Sequence, residues 1–442
     1  MLSVHCGKCR QFLPHPCAII RRLQSDEAKG CSRMKADLDQ LMEKRGLQAL
    51  VVVGDETYSV PRDYLTNGAQ VTGGLVIKKR GADPVMIVNP MEVEEAAASG
   101  LTVYTNHDFG WGDLIKEADG DRSKATVKLW ERVLQQQAIP PGKIGIYGTD
   151  DVNVYIEMVD ELNQLADYEF VGERGLTLFD EAFITKDADE LARLKVVAAA
   201  TSATLQATWD YIAGHRVEGE TLVKPDGSPL TIGDVKRFVR RTLLDHDLED
   251  TGMIFAQGRD AGFPHSRGQT DMPLQLGQAI IFDLFPREIG GGYHHDVTRT
   301  WCIGYAPEPL QKAYDTVMKA FDIAITAYDE PGQPTHELQE AVLDYFEEEG
   351  HPTQRSQPST MNGYVHSLGH GVGLKIHERP SLSHLTRKDI LQQGNVVSVE
   401  PGLYYPDEGY GVRVEDTVYI DETGKMISLT DFHKKLVIEV QQ

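Results

Sequence analysis

Apolar positions alternate between helical and strand spacing along the first part of the chain. A helical stripe formed by Leu38, Leu41 and Met42 ends at Gly46, and residues 47–53 follow as a buried strand. Further strands are predicted at 74–78, 84–89, 101–104 and 143–147, and an amphipathic helix at 124–137. This alternation predicts a compact α/β domain of about 150 residues, placed at 34–183.

The order of elements changes from about residue 184 onward. A boundary near 182–189 precedes a long helix at 188–212, a turn-rich loop at 224–231 and a helix at 234–246. Beyond residue 253 strands dominate, at 278–285, 293–303, 396–400 and 411–420, with intervening helices at 310–328 and 335–349. Residues 184–442 are therefore predicted to be α+β, with an antiparallel sheet and helices on one face.

Composition narrows the class of protein. The chain has 442 residues, of which 41% are hydrophobic and 25% charged, as in globular proteins of two or three domains. The net charge of −23 argues against binding to nucleic acid or to anionic membranes. No apolar run approaches the roughly 20 residues that span a bilayer. These features predict a soluble cytoplasmic protein.

Cysteines are concentrated at the start of the chain. Four of the five lie at positions 6, 9, 17 and 31. A zinc site built from Cys6 and Cys9 with His5 and His15 is one alternative, but the second closely spaced pair of a zinc ribbon is missing. We expect residues 1–33 to be a disordered tail or an upstream extension. Cys302 is predicted to be a buried thiol in a reducing compartment.

Candidate metal-binding residues are concentrated between positions 283 and 415, where four acidic residues and one histidine lie in apolar or glycine-rich runs. They are Asp283, Asp296, His370, Glu400 and Glu415. A buried carboxylate without a partner is unfavourable, so a cation is expected to hold the set together. Four carboxylates and one imidazole suit two hard or borderline divalent metals better than one structural zinc. Metal-activated water, and therefore a hydrolase, is predicted.

Local spacing suggests how these side chains meet. The run PREIGGG permits a hairpin in which Asp283 and Asp296 face each other. In an extended strand, His366 and His370 would share one side. Arg413 and Glu415 would likewise share a face, either as site residues or as a structural ion pair. A lone histidine or aspartate in such places is more often a core or capping residue, so the prediction rests on the combination.

The order and spacing of these motifs resemble the metallopeptidase family with the pita-bread fold. That family contains methionine aminopeptidase, Xaa-Pro aminopeptidase, prolidase and creatinase. The motifs that carry the resemblance are FDLFP, HHDVTRT, HSLGHGVGLKIHE, VEPGLY and GVRVEDTV. The resemblance covers nearly the whole chain from Met34. It implies an α+β pita-bread catalytic domain at 184–442, preceded by an α/β creatinase/prolidase-like N-terminal domain at 34–183.

The resemblance also implies a role for each residue. Asp283 would chelate one metal, Asp296 and Glu415 would bridge two, and His370 with Glu400 would complete the second. Glu400 would also be the general base, and His377 would stabilise the tetrahedral intermediate. Contacts to the substrate would come from His265 and His366, while Arg413 would orient the carboxylates or the substrate. Two divalent ions, Mn²⁺ first and otherwise Zn²⁺, Co²⁺ or Fe²⁺, a peptide substrate and a homodimer are implied.

The implied activity is hydrolysis of the bond preceding proline, as an Xaa-Pro aminopeptidase or an Xaa-Pro dipeptidase, by a hydroxide activated at two metals. Alternatives are a hydrolase of another amide or ester, a metal-independent creatinase-like C–N hydrolase, and a non-catalytic binding module. One departure from the family is an Asp283-to-Asp296 interval longer by about two residues than usual, which is expected to enlarge the turn. Phe285 and Pro286 add bulk beside the site.

Overall fold

The computed structural model describes residues 37–54, 57–149, 152–165 and 167–440. The predicted tail at 1–33, with its four cysteines, lies outside the described residues. Cys302 is fully buried, as predicted. Within the described ranges, no helix is both long enough and apolar enough to cross a membrane.

The first half of the chain is built on one six-stranded sheet. Its strands are β1 Leu47–Gly54, β2 Leu75–Lys79, β3 Val85–Val88, β4 Thr102–Thr105, β5 Gly142–Thr149 and β6 Tyr168–Val171. Their order across the sheet is β4-β3-β2-β1-β5-β6, and only β2 runs antiparallel to its neighbours. The helices of this half are α1 Leu38–Lys44, α2 Val60–Thr66, α3 Val93–Ala97, α4 Trp111–Glu117, α5 Arg122–Gln136, α6 Val152–Leu162 and α7 Leu178–Ala182, with 3-10 turns at Pro90–Glu92 and Asn106–Phe109.

Local sequence explains these elements. The run from Ala49 to Val53 is apolar at every position because β1 lies at the centre of the sheet with both faces covered. In α5 the buried residues, which include Trp130 and Leu134, recur at helical spacing and pack on the sheet. The predicted strands and the helix at 124–137 are confirmed within two residues, whereas β6 and the helices α2, α3, α4, α6 and α7 had not been predicted.

The second half contains more and shorter strands. They are β7 Arg216–Glu218, β8 Thr221–Val223, β9 Leu248–Glu249, β10 Ile254–Gln257, β11 Ala279–Leu284, β12 Arg287–Glu288, β13 Val297–Ile303, β14 Gly369–Gly371, β15 Glu378–Leu382, β16 Val396–Val399, β17 Gly402–Tyr405, β18 Tyr410–Arg413, β19 Asp416–Ile420, β20 Met426–Ser428 and β21 Val437–Ile438. They form two larger sheets, β10-β11-β13-β21 and β15-β14-β16-β19-β20, and the strand pairs β7-β8, β9-β12 and β17-β18. The helices are α8 Ala188–Ala213, α9 Ile232–Leu244, α10 Glu308–Thr326 and α11 Thr335–Glu348, with a 3-10 turn at Gly258–Gly262.

The long helix α8 begins where the sequence supplies a capping box. The side chain of Asp187 accepts from the backbone N–H of Glu190, and Glu190 accepts in return from the N–H of Asp187, both at 2.9 Å. One face of α8, including Leu194 and Val197, joins a core that contains residues of both halves, such as Phe179 and Phe282. The predicted division at 183 and 184 stays a prediction.

Several local predictions were wrong. The segment 411–420 is not one strand, because Val414 and Glu415 separate β18 from β19 and their N–H groups bond to Pro401 and Thr298. His366 and His370 do not share a strand, since β14 contains only Gly369–Gly371. The expected antiparallel sheet is divided into two, and β21 pairs parallel with β13.

The connection between β11 and β13 is fastened to the first half of the chain. The two strands pair as far as Leu284 and Val297, so residues 285–296 form the connection between them. Tyr58 packs against this turn, and its hydroxyl oxygen accepts from the N–H of Gly292 at 3.1 Å. A Cβ at Gly291, whose φ is +112°, would overlap the Tyr58 ring. Glycine is required there both by its backbone angle and by the close approach of the ring.

Candidate metal centre

Five predicted ligand residues lie together in a group that we call the ligand cluster. Asp283, Asp296 and Glu415 are buried, and His370 and Glu400 are partly buried. The Nε2 atom of His370 lies 3.6 Å from Oδ2 of Asp296 and 3.6 Å from Oε1 of Glu400. Ligand atoms of Asp296, His370 and Glu415 all lie within 4.8 Å of one another. Such spacing allows several of these side chains to bind one cation.

Strand ends deliver the carboxylates to the cluster. Asp283 lies near the end of β11, directly opposite Thr298 in the antiparallel register, and Asp296 immediately precedes β13. Glu400 follows β16, and Glu415 occupies the break between β18 and β19. The predicted antiparallel pairing next to the two aspartates is present, but the prediction that they face each other was wrong, because Asp283 lies opposite Thr298, two positions beyond Asp296.

Glycines let neighbouring backbone approach the histidine. His370 is the middle residue of β14, between Gly369 and Gly371. A Cβ at Gly369 would overlap the carbonyl oxygen of Ser398, and one at Gly371 would overlap that of Arg379. The sequence GHG therefore allows neighbouring backbone to lie close to the chain on either side of His370.

Burial sets the electrostatics of the cluster. It raises the pKa of all four carboxylates, and repulsion among them adds to the effect at Asp296, Glu400 and Glu415, while Arg413 opposes it. Burial also lowers the pKa of His370 to about 4, and the neighbouring His377 contributes in the same direction. The imidazole is therefore neutral and able to donate a lone pair near neutral pH.

The donor set fits divalent cations. Among the described residues, Arg413 is the cation that pairs with the cluster, through Asp283 at 2.6 Å, and one cation cannot compensate four carboxylates. The other carboxylate oxygen of Asp283, Oδ1, is buried without a hydrogen-bond partner. A buried oxygen of this kind is unfavourable unless a cation or donor reaches it. Oxygen donors with one imidazole match the preferences of Mn²⁺ and similar metals.

A hydrogen-bonded chain connects the cluster to His366. Arg413 donates to Asp283, to Oγ1 of Thr298 at 3.0 Å and to the hydroxyl of Tyr404 at 2.8 Å. Thr298 in turn donates to Oε2 of Glu415 at 2.7 Å. The hydroxyl of Tyr404 lies 2.9 Å from Nε2 of His366. Arg413 therefore pairs with Asp283, and it reaches Glu415 only through Thr298.

Tyr404 and Thr298 were missed by the sequence analysis. Thr298 could have been found from the hairpin, because the register places it opposite Asp283. Tyr404 is one of two adjacent tyrosines in VEPGLYY, and nothing in that run distinguishes it from Tyr405. Its burial, which raises its pKa to about 12, follows from pairing between β17 and β18.

The remaining predicted site residues surround the cluster. The ring centroid of His377 lies 4.4 Å from that of His370. His265 is exposed in a loop, and the carbonyl of the preceding Pro264 accepts from Arg413 at 3.3 Å. In His366, Nδ1 donates to the carbonyl of Ser367 at 2.7 Å, so Nε2 is the acceptor for Tyr404. The roles predicted for these histidines stay predictions.

Comparison with known proteins places the site in context. The sequence profile of metallopeptidase family M24 matches residues 192–422, which is more than half of the chain and includes the whole ligand cluster. The chain belongs to metallopeptidase family M24. Members of family M24 use divalent metals, in agreement with the donor set of the cluster.

Individual members of family M24 are similar in sequence or fold. The Xaa-Pro dipeptidase of Pyrococcus furiosus is 36% identical over 174 residues, or 39% of this chain and 45% of that protein. This chain spans about half the length of the curated relatives it matches. Solved structures of an X-Pro aminopeptidase from Thermotoga maritima and an Xaa-Pro dipeptidase from Bacillus anthracis share the fold, at TM-scores of 0.68 and 0.69 and identities of 19% and 22%. The two superpositions cover 91% and 92% of this chain and 99% of each solved chain. This protein therefore has the pita-bread fold with an α/β N-terminal half.

Proposed function

We propose that this protein is a metal-dependent peptidase that hydrolyses the peptide bond preceding proline. The observation that carries the proposal is the ligand cluster, in which Nε2 of His370 lies 3.6 Å from a carboxylate oxygen of Asp296 and 3.6 Å from one of Glu400. Membership of family M24 supports a metallopeptidase, and the relatives named Xaa-Pro dipeptidase and X-Pro aminopeptidase support specificity for proline.

The ligand cluster would hold two divalent cations. Asp283, Asp296 and Glu415 would bind on one side, with Asp296 and Glu415 shared between both ions, and His370 and Glu400 would complete the second. Bound cations would make water a nucleophile near neutral pH and polarise the peptide carbonyl. Mn²⁺ is the first candidate because carboxylates predominate, and Zn²⁺, Co²⁺ and Fe²⁺ also suit a site with one imidazole.

The chain's own groups would handle the proton and the substrate. Glu400 has a more exposed side chain than Asp296, 15% against 7%, so it is the better placed to take a proton and deliver it to the leaving amine. His377, beside His370, would donate to the carbonyl oxygen as negative charge develops there. His265 and His366 would contact the substrate, and Arg413 would fix the orientation of Asp283.

A homodimer in the cytoplasm and two domains divided at 183 and 184 are further proposals. They rest on the family resemblance and on the composition of the chain. Sedimentation would test the dimer, and limited proteolysis near residue 184 would test the division.

The test begins with metal-free protein that is reloaded with Mn²⁺. We expect it to bind two ions per chain by elemental analysis and to cleave Gly-Pro or Xaa-Pro-Xaa peptides, but not a peptide beginning with Met-Ala. Asp296→Asn should lose both the metal and the activity. Asp315→Asn, which removes an exposed acidic group on α10, is the matched control and should retain both.

Three outcomes would contradict the proposal. Failure of the loaded protein to cleave any Xaa-Pro bond would exclude proline specificity. Hydrolysis that survives a chelator would favour a creatinase-like reaction at histidine. Protein that neither contains nor acquires metal would favour a binding module.

A further inference from the structure

Asp296 and Glu415, the two carboxylate residues assigned to both ions, are each held through their backbone by a side chain that is not itself a predicted ligand. The hydroxyl of Thr417 accepts from the N–H of Asp296 at 3.2 Å and donates to its carbonyl oxygen at 2.7 Å. The N–H of Glu415 donates to the carbonyl oxygen of Thr298 at 3.1 Å, and the carbonyl oxygen of Glu415 accepts from Arg299 at 2.6 Å. The backbone of both residues is therefore fixed on either side of the carboxylate side chain.

Arg299 is a fully buried guanidinium whose five N–H groups all have acceptors. The acceptors are one carboxylate oxygen of Asp416 and the carbonyl oxygens of Thr298, Glu415, Phe432 and His433. A buried charge with every hydrogen bond made is held in one position, because a shift would break bonds that water cannot replace. Arg299 has no N–H group left for a metal-bound water or a substrate, so it can act only through the residues that it holds.

The segment 430–434 forms the base on which both side chains rest. Arg299 bonds to two of its carbonyl oxygens, and the hydroxyl of Thr430 accepts from the N–H of Thr417 at 3.1 Å. Two long helices anchor the segment in turn. Ser202 of α8 accepts from one of its backbone N–H groups at 3.2 Å, and Tyr314 of α10 donates to one of its carbonyl oxygens at 2.6 Å. The ligand cluster is therefore supported by parts of the chain that are remote from it in sequence.

This support opposes a repulsion inside the cluster. Burial raises the pKa of Asp296, and the charge on Glu415 raises it further, so the two carboxylates repel each other. A backbone that could shift would let them move apart, and cations that share them need both at fixed positions. Substitution of groups that orient metal ligands typically lowers metal affinity by about 10–100-fold.

We propose that Arg299 and Thr417 are positioning residues that fix the separation of the two shared carboxylates, and with it the binding of the second cation. The proposal rests on the proposed function, because it takes Asp296 and Glu415 as the residues that both ions share. Neither positioning residue would bind an ion or the substrate.

The hydroxyl of Thr417 can be removed without a change of charge or much change of shape. In Thr417→Val we expect the affinity for the second Mn²⁺, measured by calorimetric titration of metal-free protein, to fall by about 10–100-fold. Thr417→Ser keeps the hydroxyl and should bind like the parent. Electron paramagnetic resonance should show a coupled pair of Mn²⁺ ions in the parent and in Thr417→Ser but not in Thr417→Val. The matched control is Thr66→Val, which removes a fully buried hydroxyl that donates to a backbone carbonyl in α2, and it should leave metal binding unchanged.

Arg299→Lys tests the second positioning residue. A lysine keeps a positive charge for Asp416 but offers three N–H groups on one nitrogen in place of five on three, so the affinity for the second ion should again fall by about 10–100-fold. Thermal melting of the metal-free proteins checks that each variant folds, and if Arg299→Lys does not fold, Thr417→Val decides alone.

Two results in the threonine variants would overturn the inference and leave the proposed function intact. One is a folded Thr417→Val that binds two ions like the parent, even with a lower melting temperature, because the hydroxyl would then serve stability alone. The other is an equal loss of affinity in Thr417→Ser, because the hydroxyl would then not be the cause. A parent protein that binds no Mn²⁺ would overturn both this inference and the proposed function.

Discussion

Carboxylates near His377 form two groups whose partners differ. In one group, Asp180, Glu378 and Asp389 are each paired with a lysine or arginine, and we call these three ion pairs the junction pairs. In the other group, the ligand cluster, four carboxylates are accompanied by Arg413, which pairs with Asp283. Among the described residues, the chain thus supplies one cation for each carboxylate of the first group and one cation for the four carboxylates of the second.

The difference in paired cations indicates the role of each group of carboxylates. A carboxylate whose counter-charge is built into the chain contributes to the folded structure. A carboxylate that is buried without one raises the free energy of the folded chain until a cation is bound, which is the expected state of a metal site. Stability and activity should therefore respond in opposite ways to substitutions in the two groups.

The largest effect is expected from Glu415→Gln in the ligand cluster. Removing this ligand should lower kcat/KM by about a thousandfold, since a bound metal supplies several kcal/mol of stabilisation to the transition state. The metal-free protein should be as stable as the parent or more stable, by on the order of 1 kcal/mol, because a buried charge is gone. Peptidase assays and urea unfolding of metal-free protein measure the two effects. A large loss of stability in the metal-free state would contradict this contrast.

The opposite response is expected from Lys186→Met in a junction pair. Lys186 and Glu378 have side chains only 2% exposed, so the substitution leaves a buried carboxylate unpaired and should cost about 3–5 kcal/mol of unfolding free energy. Adding Glu378→Gln should restore much of the loss. Lys44→Met is the control. The Lys44 side chain pairs with Glu181 but is 66% exposed, so this substitution should change stability by less than about 1 kcal/mol. Similar losses for both lysines would show that burial is not the cause.

Arg413→Lys tests the cation that pairs with the ligand cluster in the described part of the chain. A lysine keeps the charge but loses the planar guanidinium, whose three separate nitrogens donate to Asp283, Thr298 and Tyr404, so metal affinity or activity should fall by about 10–100-fold. The matched control is Arg387→Lys, in an exposed pair with Glu340, and it should have no effect. Metal titration and kinetics are the measurements. An unaltered Arg413→Lys protein would mean that the charge alone matters.

The smallest effect concerns pH and Asp180. Burial of Asp180 opposes its ionisation. The hydrogen bond from Lys375, helped by those from Thr177, outweighs burial and holds the pKa of Asp180 below its ordinary value. The pair therefore contributes stability above the unfolded pKa of about 3.9, and the contribution is lost as pH falls through the lower folded value. Asp180→Asn should flatten this acid limb by less than about 1 kcal/mol, because the pair is partly exposed. Melting curves between pH 3 and pH 7 would measure it, and an unchanged pH dependence would contradict the assignment.

The sequence was sufficient to predict that the five residues of the ligand cluster lie together, because each lies in an apolar or glycine-rich run where a charged side chain is unusual. It was sufficient for the main helices and strands because their apolar spacing is regular. It could not reveal Tyr404 or the pair between Lys186 and Glu378. Those contacts join residues 38 and 192 positions apart, and they depend on how strands pack. The break at Val414 and Glu415 was hidden because a strand-like run continues across it.

The turn that carries Gly291 has a consequence for protein engineering. The Tyr58 ring occupies the space that any side chain at position 291 would need, and its hydroxyl is bonded to the next residue. The length of this loop and the ring of Tyr58 therefore depend on each other. Shortening the loop would leave the ring uncovered. Moving the loop alone into a relative would leave its glycines without the ring that they contact. Exchange of this loop between relatives should succeed only when the segment around Tyr58 is exchanged with it.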